Sequence, residues 1–200
     1  MGRKHVNPII QPDDSSCGPA SIKHALEILG KRKSLTSLKT LCKTTRNGTT
    51  VKNMIITLNK LGLHVMKVEN ASLRHLTGAL RYTPNQHRAV IVNYLYDCDN
   101  EKDNWRESGH WATVSFYSAR EGRIVLFDSY TGKKKSYLWK NFIQYWKDYD
   151  LKRKRTSKRR STYTVIKKWQ HRLMLVVAKD ADCLPEYSIE TSKVFSPESL

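Results

Sequence analysis

The sequence predicts an α+β fold in which a helical N-terminal part packs on an antiparallel sheet. Two observations carry this. The first eighty residues hold apolar positions at helical spacing, whereas the remainder holds β-branched and aromatic runs broken by turn residues. The two patterns are segregated along the chain, which argues against alternating βαβ units and a parallel sheet. With 200 residues, 39 % of them apolar, five Trp and ten Tyr, the chain can bury one substantial core.

Element by element, residues 1–16 read as extended or loop, interrupted by Pro8 and Pro12. From Pro19, at the opening helical position, Ala20, Ile22, Ala25, Leu26 and Leu29 form a helical stripe closed by Gly30. Ser34 caps a short helix carrying Leu35, Leu38 and Leu41. Thr50 caps another, with Val51, Met54, Ile55, Leu58 and Leu61, stopped at Gly62. Residues 63–68 form a short strand, and "ASLRHLTGALRY" a short helix ended before Pro84. Strands follow at "RAVIVNYLY", "HWATVSFYS", "GRIVLFDSY" and "HRLMLVVAK", with a helix at "YLWKNFIQYWKDY" among them. Residues 181–200 lack periodicity and read as a loose tail.

Composition narrows the function. Cys17, Cys42, Cys98 and Cys183 are widely spaced with no CxxC pair, so neither a zinc site nor a disulfide scaffold is expected, and the compartment reads as reducing and cytoplasmic. No run of apolar residues is long enough to span a membrane, and the N-terminus lacks the apolar core of a signal peptide. The formal charge is +18, from thirty-six Lys and Arg against eighteen Asp and Glu. Residues 151–172, "LKRKRTSKRRSTYTVIKKWQHR", contribute ten basic residues and no acid. Such a segment is a solvated basic hairpin or loop, or a contact for a polyanion such as nucleic acid or for an acidic substrate.

The chemistry starts at "QPDDSSCGPAS". Cys17 stands at a loop-to-helix junction, where unpaired N–H groups and the helix dipole favour a thiolate. Gly18 would let a substrate approach the backbone. A free cysteine that happens to lie near a helix start is the alternative. Cys42 falls on an apolar helix face, Cys98 in an acidic loop and Cys183 in the tail, so none competes as a nucleophile. A thiolate needs a base, and the base an orienting group. Among seven histidines, His110 begins an apolar strand directly after Gly109, with room beside it on a rigid element. The next strand ends in Asp128, and an antiparallel turn returns it beside His110. Trp111 alternates to the opposite face and is assigned to packing. Gln11, six residues before Cys17, offers a side-chain amide as oxyanion donor beside the Cys17 N–H.

Together, "QPDDSSCGPAS", "GTTVKNMIITLNKLGLHV", "GHWATVSFY", "RIVLFDSYTG" and "WKNFIQYW" resemble a papain-like cysteine peptidase of the bacteriocin-processing, double-glycine-leader type. The resemblance runs from about Gln11 to Trp146, with a closing strand near residues 173–179. It implies a papain-like fold over residues 1–180, with 151–172 as a basic insertion and 181–200 as a C-terminal tail. It also implies that Gln11, Cys17, His110 and Asp128 are oxyanion donor, nucleophile, base and orienting residue, and that no cofactor or metal takes part. The family usually follows the Asp with Pro, and this chain has Ser129. No transporter accompanies the domain here, so the expectation is a stand-alone cysteine peptidase acting on a peptide or protein substrate. Two alternatives remain open: a polyanion or nucleic-acid binding module on a peptidase-like scaffold, and an acyltransferase using the same triad.

Overall fold

Three helices precede the first strand. In the computed structural model, which describes residues 6–81, 87–96, 109–155 and 163–197, these are α1 (Cys17–Ile28), α2 (Leu35–Leu41) and α3 (Val51–Lys60), followed by β1 (His64–Val68). Their ends are where the sequence puts them. The Ser34 and Thr50 hydroxyls accept from the N–H groups of Ser37 and Asn53, each satisfying one orphan donor of a first turn. Gly30 and Gly62, at φ 72° and 69°, close α1 and α3 in the left-handed conformation that a Cβ disfavours. Both ends are Schellman turns, with Lys31 N–H bonded to Leu26 O at 2.8 Å and Leu63 N–H to Leu58 O at 3.1 Å. One boundary moves: α1 begins at Cys17, so Pro19 is its third residue. The first four N–H groups of a helix lack intrahelical acceptors, so the missing donor of Pro19 costs nothing there.

The rest of the chain builds a seven-stranded antiparallel sheet in the order β5-β4-β3-β2-β8-β1-β9. Its remaining members are β2 (Arg88–Leu95), β3 (Gly109–Ser118), β4 (Arg123–Asp128), β5 (Lys133–Leu138), β8 (Met174–Ala178) and β9 (Ser192–Phe195). Side chains alternate across it. Val65, Ala89, Ile91, Trp111, Leu175 and Val177 meet α1, α2 and α3 on one face. Met66, Val90, Val92, Tyr94, Ala112, Val114, Met174 and Val176 meet α4 (Leu73–Leu80) and α5 (Trp139–Tyr145) on the other. Thus the N-terminal helices pack on the sheet as expected, and a second helical layer covers its back. Trp111 lies in the first core and donates its Nε1–H to Thr49 O at 2.9 Å. Trp146 lies in the second and donates to Leu173 O at 2.9 Å. Both large rings are buried with their one polar atom satisfied.

Three stretches differ from the sequence reading. "KKKSYL" forms the edge strand β5; its lysines mask strand character but suit an edge, where charge blocks further pairing. The helix read over "YLWKNFIQYWKDY" contracts to the seven residues of α5, because its first residues finish β5 and its last begin β6 (Lys147–Arg155). The segment after residue 181 is not wholly loose: Ser192–Phe195 pairs with β1 as the opposite edge strand, Val65 facing Phe195. A four-residue edge strand takes its order from the ladder beside it, which leaves no periodicity to read.

The basic segment falls largely in a separate two-stranded sheet, β6 paired with β7 (Tyr163–His171), in register from Lys147↔His171 to Arg155↔Tyr163. Among the described residues no helix is long and apolar enough to cross a membrane.

Candidate active site

Four elements converge: the loop before α1, the α1 N-terminus, the start of β3 and the end of β4. Asp13 organises the loop. Its Oδ1 accepts from Ser15 N–H at 3.1 Å and from the hydroxyls of Ser15 and Ser16 at 2.6 and 2.8 Å. Its Oδ2 pairs with Lys39 of α2. The Lys39 ammonium, followed by the two hydroxyls, holds the Asp13 carboxyl well below the usual carboxylate range. This collar delivers Cys17, 5 % exposed, as the first residue of α1. The adjoining Gly18 serves packing and not substrate approach: an added Cβ would stand 2.8 Å from Thr49 Cβ and 3.1 Å from Met54 Sδ.

His110 is buried, its ring edge-on to Tyr94 and Tyr96 at centroid distances of 5.7 and 4.8 Å. Its Nε2 lies 3.4 Å from Asp128 Oδ1, an ion-pair separation somewhat longer than an ordinary hydrogen bond of about 2.9 Å. The Cys17 thiol also interacts electrostatically with the His110 ring. Burial alone would pull the imidazole pKa down, but its interactions with the Asp128 carboxylate and the Cys17 sulfur prevail and push it up to about 9. The antiparallel return works diagonally: Thr113 faces Phe127, so Asp128 comes level with Ala112, two residues along on the same face as His110.

Asp128 is fully buried and heavily satisfied. Oδ1 also accepts from Tyr130 N–H at 3.0 Å, while Oδ2 accepts from Tyr96 OH at 2.7 Å and Thr131 Oγ1 at 2.8 Å. Burial would raise its pKa; the His110 imidazole and the hydrogen bonds from Tyr96 and Thr131 outweigh that and bring it to about 2.

Gln11 bridges the two halves. Its main-chain N–H donates to Ser129 O at 2.8 Å, its Oε1 accepts from Ser129 Oγ at 2.7 Å, and its Nε2 donates to Asp13 O at 2.8 Å. The structure therefore brings Cys17, His110 and Asp128 together and straps Gln11 between the loop before Cys17 and the residue after Asp128. Tyr96 and Thr131 are absent from the sequence reading, which names Ser129 but gives it no task. Only the register that sets Tyr94 opposite His110, and so Tyr96 just beyond it, could reveal the first of them.

The other cysteines behave as read where they are described. Cys42 is fully buried, and burial pushes its thiol up to about 11, with the Thr57 hydroxyl opposing. Cys183 is partly exposed in a short 3₁₀ turn, and Cys98 lies outside the described residues. Among the described residues no three His, Cys, Asp or Glu side chains group as a metal site.

The sequence pattern of the Peptidase C39 family matches residues 5–158. No curated protein matches the sequence. Among solved structures, the peptidase domain of Streptococcus ComA, a bi-functional ABC transporter involved in a quorum-sensing pathway, superposes with a TM-score of 0.60 at 18 % identity, covering 88 % of this chain and all of that one. A double-glycine-motif protease from an AMS/PCAT transporter, in complex with its leader peptide, gives 0.53 at 16 % identity, over 72 % of this chain and 88 % of that one. At such identities the superpositions speak for the fold, which is that of the papain-like peptidase domain. The match over most of its length decides the rest: this chain belongs to the Peptidase C39 family and is a cysteine peptidase.

Proposed function

We propose that this domain hydrolyses a peptide bond through Cys17, His110 and Asp128, with Gln11 as oxyanion donor. The observation that carries the reading is the buried His110, its Nε2 3.4 Å from the Asp128 carboxylate and its imidazole pKa raised by that carboxylate and the Cys17 sulfur. With Nε2 turned to Asp128, Nδ1 is left for Cys17. The sulfur attacks the carbonyl carbon, and the negative charge collects on the carbonyl oxygen. Gln11 Nε2 keeps a second hydrogen beyond the one given to Asp13, and the Cys17 N–H, first in its helix, has no intrahelical acceptor; both suit that oxygen. His110 then protonates the leaving amine. Water, deprotonated by His110, next attacks the thioester, which returns the thiol and releases the acid.

The substrate that fits best is a peptide cut after a double glycine, by analogy with the leader peptide held by the AMS/PCAT protease. Cysteines spaced without pairing fit work in a reducing cytoplasm. The peptidase unit is taken as residues 1–180 with the basic hairpin as an insertion. An amine in place of water would make the same site an acyltransferase, to be told apart by its products. The hairpin supports a further contact. On one of its faces Tyr149 and Trp169 meet at 5.2 Å, His171 stacks on Trp169, and Lys147 lies over the Trp169 ring. Cations interleaved with aromatics suit a polyanion, or an acidic stretch of substrate.

The test is alkylation of Cys17 by iodoacetamide across pH, read by peptide mass, in wild type and His110→Ala. An ion pair predicts that His110→Ala slows alkylation at pH 6 by about tenfold or more, and that only the wild type cleaves a Gly-Gly peptide. Equal rates in the two proteins would remove the base from the mechanism.

A further inference from the structure

We infer that Ser129 is a positioning residue, whose hydroxyl fixes the side-chain amide of Gln11 with its N–H end toward the reacting carbonyl. The inference rests on the oxyanion role given to Gln11 above. A glutamine can serve an oxyanion in only one of its two flips. Turned the other way, it presents Oε1 and repels the developing charge. Here both ends of the amide are held. Asp13 O can only accept, so it selects Nε2 at 2.8 Å; the Ser129 hydroxyl donates to Oε1 at 2.7 Å. Both partners are shielded from water, Ser129 being 1 % exposed and Gln11 8 %, so no solvent molecule replaces a lost donor cheaply. The main chain adds a tie from Gln11 N–H to Ser129 O. That tie does not need the side chain, so removing the hydroxyl frees the amide and leaves the loop attached.

Ser129 directly follows Asp128 in the chain. Consecutive residues thus have separate tasks at the end of β4: Asp128 orients the imidazole, and Ser129 orients the amide. Nothing in the triad itself requires a hydroxyl there.

The experiment compares two reactions of Cys17 in the full chain. Acylation by p-nitrophenyl acetate passes through an oxyanion; alkylation by iodoacetamide does not. Both are read as modification of Cys17 by peptide mass. Ser129→Ala should slow acylation by about three- to thirtyfold and leave alkylation within about twofold, since the ion pair is untouched. Ser129→Thr should keep most of the acylation rate. In a Gln11→Ala background, where acylation is already slow, Ser129→Ala should add no further loss. If Gln11→Ala acylates at the wild-type rate, the oxyanion reading of Gln11 fails. If Gln11→Ala is slow but Ser129→Ala is not, or costs the same in both backgrounds, the inference alone is overturned. Should Ser129→Ala fail to fold, Ser129→Thr against Ser129→Val gives the same contrast at matched size.

Discussion

Two histidines pull the pH dependence of stability in opposite directions. His110 holds its proton up to about pH 9, against 6.5 for the free side chain. Its contribution is full below 6.5 and is lost as pH rises through 9. His24, fully buried and stacked on Phe127, is pushed down to about 4 by burial and the charge of Lys23. Its stability is present above 6.5 and is lost as pH falls through 4. Asp128 adds a term present above 3.8 and lost as pH falls through about 2. Urea midpoints between pH 3.5 and 9.5 should therefore fall at both ends. His110→Gln should flatten the alkaline limb, and His24→Gln the limb between 6.5 and 4. Tyr96→Phe removes a charge-assisted donor from a buried carboxylate, and we expect about 1.5–3 kcal/mol of lost stability by urea unfolding. The gathering of Cys17, His110, Asp128 and Gln11 was legible because chain order and an antiparallel return suffice to bring these positions together. Tyr96, Ser129 and Thr131 were not, because their roles depend on which strands pair, and in what register.

At the level of elements, the legible parts were those whose signals are local. Ser34, Thr50, Gly30 and Gly62 act within one turn of their own positions. Thr50→Ala should cost about 1 kcal/mol in the same unfolding assay. The misread parts borrow their structure from neighbours: β5 from β4, β9 from β1. Gly109 belongs to this second kind. A Cβ there would collide with the carboxylate of Asp148 at the root of β6, so a side chain at the first residue of β3 forces either Asp148 or the strand to shift. Gly109→Ala should cost about 1–3 kcal/mol and slow Cys17 alkylation along with it, because position 109 adjoins His110. Unchanged alkylation would mean that the hairpin root can move without disturbing His110.

Across the whole molecule, the charge of +18 is concentrated where the aromatic rings of β6 and β7 also gather. Replacing Lys152, Arg153, Lys154 and Arg155 with Gln should lower the salt needed to elute the protein from heparin and flatten the salt dependence of binding. Elution unchanged by this fourfold change would assign the affinity to another surface. The sheet has a property of a different kind. β1 and β2 never touch as partners; β8 lies between them and hydrogen-bonds to both. The strand that joins the helical half to the half carrying His110 thus leaves the ribosome after both of the strands it joins. Until residues 174–178 emerge, β1 and β2 each present an open row of backbone donors and acceptors, and both cores lack their central layer. Synthesis itself orders the events, so that the two halves are joined only after Cys17, His110 and Asp128 have all been made.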